Sequence, residues 1–202
     1  MSAETTDWGE LARHARIVLE NAGAGSLAPE IANWPLLRNR RAVAAQSLAV
    51  LRWLPEATHG APPGPLRELA TLVHQAVSDF AWRQSYRAPQ VSAQILERYG
   101  WCELFGLSGP LPCPTLACGF LLLGPETFYP SHGHRAAELY VPLSGTAEWQ
   151  CADEPFRTRA PGELIAHRPY EPHAMRTQSQ PLLALYLWHG AGLAESSQMH
   201  AD

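Results

Sequence analysis

Two periodicities divide the chain. Through the first hundred residues, apolar positions recur at helical spacing. Leu11, Ala15, Val18 and Ala22 follow Thr5-Thr6-Asp7 and end near Gly23; Ala44, Leu48 and Leu51 precede Pro55. Leu66, Leu69, Val73, Val77 and Phe80 follow the run "PPGP", and a shorter stretch from Val91 to Tyr99 stops at Gly100. This spacing predicts four helices, each turning one stripe to a core. After Trp101 and the linker-like "SGPLPCP", short apolar runs alternate with Gly, Pro and polar turns: "TLACGFLLLG", "AELYVPLSG", "TAEWQC", "GELIAHRP", "HAMRTQ" and "PLLALYLWHG". Such runs predict strands of a β-barrel or sandwich. The expected plan is a mainly β protein, with a helical N-terminal half over 1–112 packed on a β-domain over 113–202.

Composition narrows the chemistry. With 202 residues the chain can bury one sizeable core, and a formal charge of −4 without a basic stripe argues against nucleic acid or an anionic membrane as partner. A small molecule is the better default. All fifteen basic residues are arginine, which removes Schiff-base and lysine-anchored pyridoxal chemistry. The acidic, polar start "MSAETTDWGE" does not read as a secretory or transit signal, and no apolar run reaches membrane length, so a cytoplasmic protein is expected. Cys102, Cys113, Cys118 and Cys151 show no Cys-x-x-Cys spacing and read as buried thiols. The helical half has three open uses: covering the barrel mouth, capping a sheet edge or building a homodimer.

The densest chemistry lies in "YPSHGHRAAELYVPLSG", residues 129–145. Side chains on a strand alternate between faces, so the even-numbered His132, His134, Glu138 and Tyr140 share one side if the segment is extended. Two imidazoles and a carboxylate suit a divalent first-row metal. A further ligand is needed; His173 in "RPYEPHAMR" is the best candidate and His167 the competitor.

These residues resemble a known family. His132-x-His134-x3-Glu138-x6-Gly145 fits the first motif of the cupin superfamily, and Gly162 through His173 is similar to the second. Arg168, Tyr170 and Thr177 stand where that second motif usually carries proline, glycine and often asparagine. The resemblance covers roughly 113–190 and implies a cupin β-barrel (double-stranded β-helix). Tyr129, Tyr140, the C-terminal "YLWHG" and the "PHAMR" segment make the chain resemble, more narrowly, the cupin-type dimethylsulfoniopropionate (DMSP) lyases. That resemblance implies a metal site of His134, Glu138 and His173 reached also by Tyr140, with His132 less clearly a ligand. It implies Tyr140 as the base, supported by Tyr129, in a β-elimination yielding dimethyl sulfide and acrylate.

A sulfonium carboxylate substrate needs a surface that tolerates positive charge, and aromatic faces supply one at roughly 0.5 to 2 kcal/mol each. Among Trp149, Tyr186, Trp188, Phe128 and Tyr170, the choice falls on Trp188, with Tyr129 and His132 as further substrate-binding residues. The sequence does not fix the roles of Arg168 and Arg176, either of which could meet a carboxylate. The donor set suits zinc, iron(II), manganese or nickel alike. Two other readings remain: another metal-dependent cupin enzyme, either a dioxygenase or a sugar isomerase or epimerase, and a non-catalytic cupin that binds a small ligand.

Overall fold

The computed structural model describes residues 6–34 and 39–199. Four α-helices precede or flank the sheet: α1 Trp8–Asn21, α2 Leu54–Gly60, α3 Pro65–Gln75 and α4 Ala93–Arg98. Asp7 starts α1 by accepting the Gly9 and Glu10 amides at 3.0 and 3.1 Å, satisfying donors the helix itself leaves unpaired. Thr5 lies outside the described residues. The stripe Leu11, Ala15 and Val18 is buried, as the periodicity predicts.

The second predicted helix is displaced. Residues 44–48 carry no helix; a 3₁₀ turn spans Ala49–Trp53 and α2 begins at Leu54. Pro55 sits in the first turn of α2, where its missing N–H costs nothing, so it opens a helix rather than closing one. The third helix ends at Gln75, before Val77 and Phe80.

The strands are β1 Tyr99–Gly106, β2 Leu111–Pro112, β3 Leu116–Leu123, β4 Phe128–Gly133, β5 Ala137–Ser144, β6 Ala147–Cys151, β7 Arg157–Arg159, β8 Ile165–His167, β9 His173–Thr177, β10 Leu182–His189 and β11 Gln198–Met199. They form a six-stranded sheet ordered β2-β1-β3-β10-β5-β8 and a five-stranded sheet ordered β11-β4-β9-β6-β7. This is the mainly β arrangement that the strand-like runs predict. Residues 99–112, placed in the helical half by their sequence, contribute β1 and β2 to the first sheet.

Alternation along the strands separates two cores. On β10, Leu183, Leu185 and Leu187 point outward and join Leu139, Val141 and Leu143 of β5, Phe120 and Leu122 of β3, and the apolar faces of α1 and α3. The intervening Leu182, Ala184 and Tyr186 point inward, toward Tyr140, Trp149 and Met175. The helices therefore cover the outer face of the six-stranded sheet, with α3 against β5 and α2 against both β5 and β10. Each leucine so buried contributes about 1.5–3 kcal/mol.

Candidate metal centre and its cavity

Two features of the backbone bring the functional side chains together. β4 and β5 are antiparallel neighbours of different partners, β9 and β10, joined through the short turn at 134–136, so His132 and Glu138 face across the barrel interior. A register shift between Tyr129 and His132 in the β4–β9 pairing puts an odd and an even residue on one face. Tyr129, His132, His134, Glu138 and Tyr140 all line one cavity of about 480 Å³. The shared-face expectation for the even-numbered residues matches this geometry, and Tyr129 joins them through the bulge.

His134, Glu138 and His173 form the group that could hold a metal ion: their donor atoms lie within 4.8 Å of one another and all three side chains are buried. His134 Nε2 stands 2.9 Å from Glu138 Oε2, and His173 Nε2 stands 3.3 Å from the same oxygen. Each imidazole uses its other nitrogen on a backbone carbonyl: His134 Nδ1 to Ala136 O at 2.8 Å, His173 Nδ1 to Glu171 O at 2.9 Å, and His132 Nδ1 to Pro130 O at 2.9 Å. Donation there fixes the tautomer and leaves each Nε2 a lone pair. Two such lone pairs converge on one carboxylate oxygen, and His173 Nε2 has no hydrogen-bond partner. A cation between them satisfies all three donors at once, so the residues fit a divalent metal.

The electrostatics agree. Burial alone would raise the Glu138 pKa, yet the facing imidazoles outweigh it and hold the carboxyl well below its usual range. Burial likewise opposes a charged His134, but Glu138 wins and its pKa is raised. His132 is held well below the usual histidine value by burial and then by His173. For Tyr140, burial first and the Glu138 charge second push the phenol well above its ordinary value.

The neighbours of the centre define its surroundings. Trp188 Nε1 donates to Glu138 Oε1 at 2.6 Å, and its ring stacks on His134 with centroids 4.1 Å apart. His167 is not a member of the three-donor group; it stacks flat on His173 at 3.9 Å, with Nδ1 3.6 Å from Cys151 Sγ. Burial and then the His173 charge lower its pKa to about 3. His132 lies one ring away, edge-on to His173 at 4.2 Å and stacked under Tyr129 at 4.2 Å. Tyr129 donates its hydroxyl to Tyr99 at 3.3 Å.

Trp188 and Tyr129, the aromatic residues chosen from the sequence, line the cavity; the alternatives Trp149, Phe128 and Tyr170 do not. Trp149 is buried among β6 and β9 side chains outside the cavity wall, while Phe128 and Tyr170 face solvent. Arg176 is exposed and donates to Glu148 at 2.7 and 3.1 Å, and neither Arg176 nor Arg168 lines the cavity. The sequence reading missed Tyr99, Trp101 and Glu103, which alternate along β1 and line the cavity, and the wall formed by Leu193 through Ser197. The parity of 99, 101 and 103 was available as a signal, but the stretch from Val91 to Tyr99 reads as a helix stopping at Gly100, and no element is predicted over 101–103.

A family model for DMSP lyase matches residues 36–184. The DMSP lyase DddQ of Ruegeria pomeroyi is 33% identical over 141 residues, 64% of this chain and 70% of its own length. A putative DMSP lyase, DddL of Cereibacter sphaeroides, is 32% identical over 134 residues, 65% of this chain and 53% of its own. Among solved structures, one from work on the DMSP lyases RdDddP and RnDddQII aligns over 94% of this chain and all of its own, with a TM-score of 0.77 and 31% identity. The crystal structure of DddQ from Ruegeria pomeroyi aligns over 93% of this chain and 96% of its own, with a TM-score of 0.76 and 25% identity.

Proposed function

The chain belongs to the DMSP lyase family, whose members are carbon–sulfur lyases, and we propose that it splits DMSP into dimethyl sulfide and acrylate at the His134, Glu138 and His173 centre with Tyr140 as base. The observation that carries this reading is the convergence of three buried donors, of which His134 and Glu138 line one aromatic cavity together with the buried phenol of Tyr140. A divalent cation held by His134, Glu138 and His173 supplies positive charge that polarises a bound carboxylate and favours a nearby phenolate.

The chain's own residues do the rest. Tyr140 takes the proton from the carbon next to the substrate carboxylate; the C–H pair becomes the new double bond, and the carbon–sulfur pair leaves on sulfur. The sulfonium departs as a neutral thioether, so the reaction discharges the cationic end of the substrate. Tyr129, Tyr186 and Trp188 present aromatic surface for that cation, and His132, held neutral by burial, adds no opposing charge. Trp188 keeps Glu138 aimed by its indole bond. With no arginine in the cavity wall among the described residues, a metal held by His134, Glu138 and His173 would supply the positive charge that attracts the carboxylate end.

Tyr140→Phe tests the base. Metal content measured by elemental analysis should stay near one ion per chain while dimethyl sulfide release falls at least about a hundredfold, the scale of a lost general base. Turnover near that of the unaltered protein would remove Tyr140 from the role.

A further inference from the structure

Three carboxylates line the cavity: Glu138, Glu195 and Glu103. Two are already matched with positive or ligand-binding partners. Glu138 faces His134 and His173, and Glu195 pairs with Arg135 at 3.0 Å. Glu103 has no basic side chain within ion-pair distance among the described residues. Its Oε1 accepts the Ser108 and Gly109 amides at 2.6 Å each, and among the described residues no donor meets Oε2. Arg41 binds the same loop from its other side, through the carbonyls of Gly106, Leu107 and Gly109, so it braces the loop without neutralising Glu103.

Register fixes where this carboxylate stands. One cross-strand row reads Glu103, Gly119, Tyr186 and Tyr140 across β1, β3, β10 and β5. Gly119 has no side chain to intervene: a Cβ there would lie 2.7 Å from the Tyr186 hydroxyl and 1.9 Å from Cys102 O. Trp101 precedes Glu103 on the same face and packs edge-on to Tyr186 at 6.5 Å. Glu103 and Tyr140 thus stand on one cross-strand row and line the same cavity, with the ring of Tyr186 between them.

We infer that Glu103 is the specificity-determining residue for the cationic end of the substrate, holding an onium group over Trp101 and Tyr186 while the carboxylate end lies at the metal centre. The inference rests on the onium-carboxylate reading of the cavity and adds a selectivity element to it. A fixed carboxylate facing an aromatic surface favours a cation over an uncharged group of the same shape, because charge attraction adds to the ring quadrupole. The loop bonds of Oε1 make the orientation of the charge rigid, which lowers the entropic cost of using it.

The test is calorimetric titration of metal-loaded protein and its Glu103→Gln variant with β-alanine betaine and with the carbon isostere in which a tert-butyl group replaces trimethylammonium. Glutamine keeps an oxygen for the Ser108 and Gly109 amides and removes only the charge. The unaltered protein should prefer the betaine, and the variant should lose about five- to tenfold of betaine affinity with that for the isostere unchanged. Equal loss for both ligands would make Glu103 a loop brace alone and overturn the inference, as would a betaine affinity that the variant retains. Dimethyl sulfide release from DMSP by the unaltered protein is measured in parallel. Its absence alongside the charge preference would sink the lyase reading and leave Glu103 as an onium selector.

Discussion

At the residue scale the centre depends on groups that touch its ligands as much as on the ligands themselves. The Trp188 indole bond of 2.6 Å fixes one oxygen of Glu138 and leaves the other to the two imidazoles. Trp188→Phe keeps a ring to stack on His134 and removes the donor. Metal affinity measured by chelator competition should then weaken about ten- to a hundredfold; an unchanged affinity would deny the bond a part in holding Glu138. The buried histidines set a pH dependence. In the unfolded chain His167 protonates near 6.5, whereas in the fold it resists protonation until about 3, so its contribution is complete above pH 6.5 and is lost as pH falls toward 3. His132 acts in the same direction. His134, with its raised pKa, does the opposite: its contribution is present below 6.5 and lost as pH rises through its folded value. Glu138, with its depressed pKa, contributes above the unfolded carboxylate value and is lost only at stronger acid. The stability of metal-free protein should therefore fall between pH 6.5 and 4, by up to a few kcal/mol from His167 alone and seen as a lower melting temperature, and His167→Gln should flatten the fall. A melting curve with the same slope in that variant would contradict the assignment. The side chains of this site were legible in the sequence because four of them share one parity within nine residues. The sequence favoured His173 over His167, and His173 is the member of the three-donor group; that His167 stacks on His173 was not legible, since it depends on the path of the Arg168 to Pro172 loop.

At the scale of elements, the alternation of β3, β5 and β10 does two jobs, with one face on the helices and the other on the cavity. Strands buried on both faces read as continuous apolar runs, which is why "LLALYLWH" was legible as a strand but its two faces were not. The β1 strand escaped notice because α4 ends at Arg98 and β1 begins at Tyr99 with no turn residue between them. Its pairing to β3 relies on a close approach at Gly119, whose space is filled by Cys102 O and the Tyr186 hydroxyl. Gly119→Ala should lower the unfolding midpoint by roughly 4–8 °C, equivalent to about 2 kcal/mol of overpacking strain. It should also displace Tyr186 from the cavity floor, seen as altered ligand affinity in the folded fraction. A fully stable variant with normal affinity would show that β1 can retreat from β3 freely.

At the scale of the whole molecule, the helical half is part of the barrel's structure. Leu139, Val141, Leu143, Leu183, Leu185 and Leu187 would face water without α1 to α3. Removing residues 1–92 should therefore yield a chain that aggregates or binds a hydrophobic dye on expression, and a soluble, cooperatively melting barrel would contradict this. The sequence left the use of these helices open because amphipathic stripes state that a face is covered, not what covers it. No described helix is long and apolar enough to cross a membrane. The most direct test of the central claim is headspace detection of dimethyl sulfide from DMSP, using protein stripped by a chelator and the same protein after a divalent metal is restored. The account predicts no release from the stripped protein and recovery with metal. Release that persists without metal, or none from protein whose site is loaded, would contradict it and return this centre to other metal-dependent chemistry.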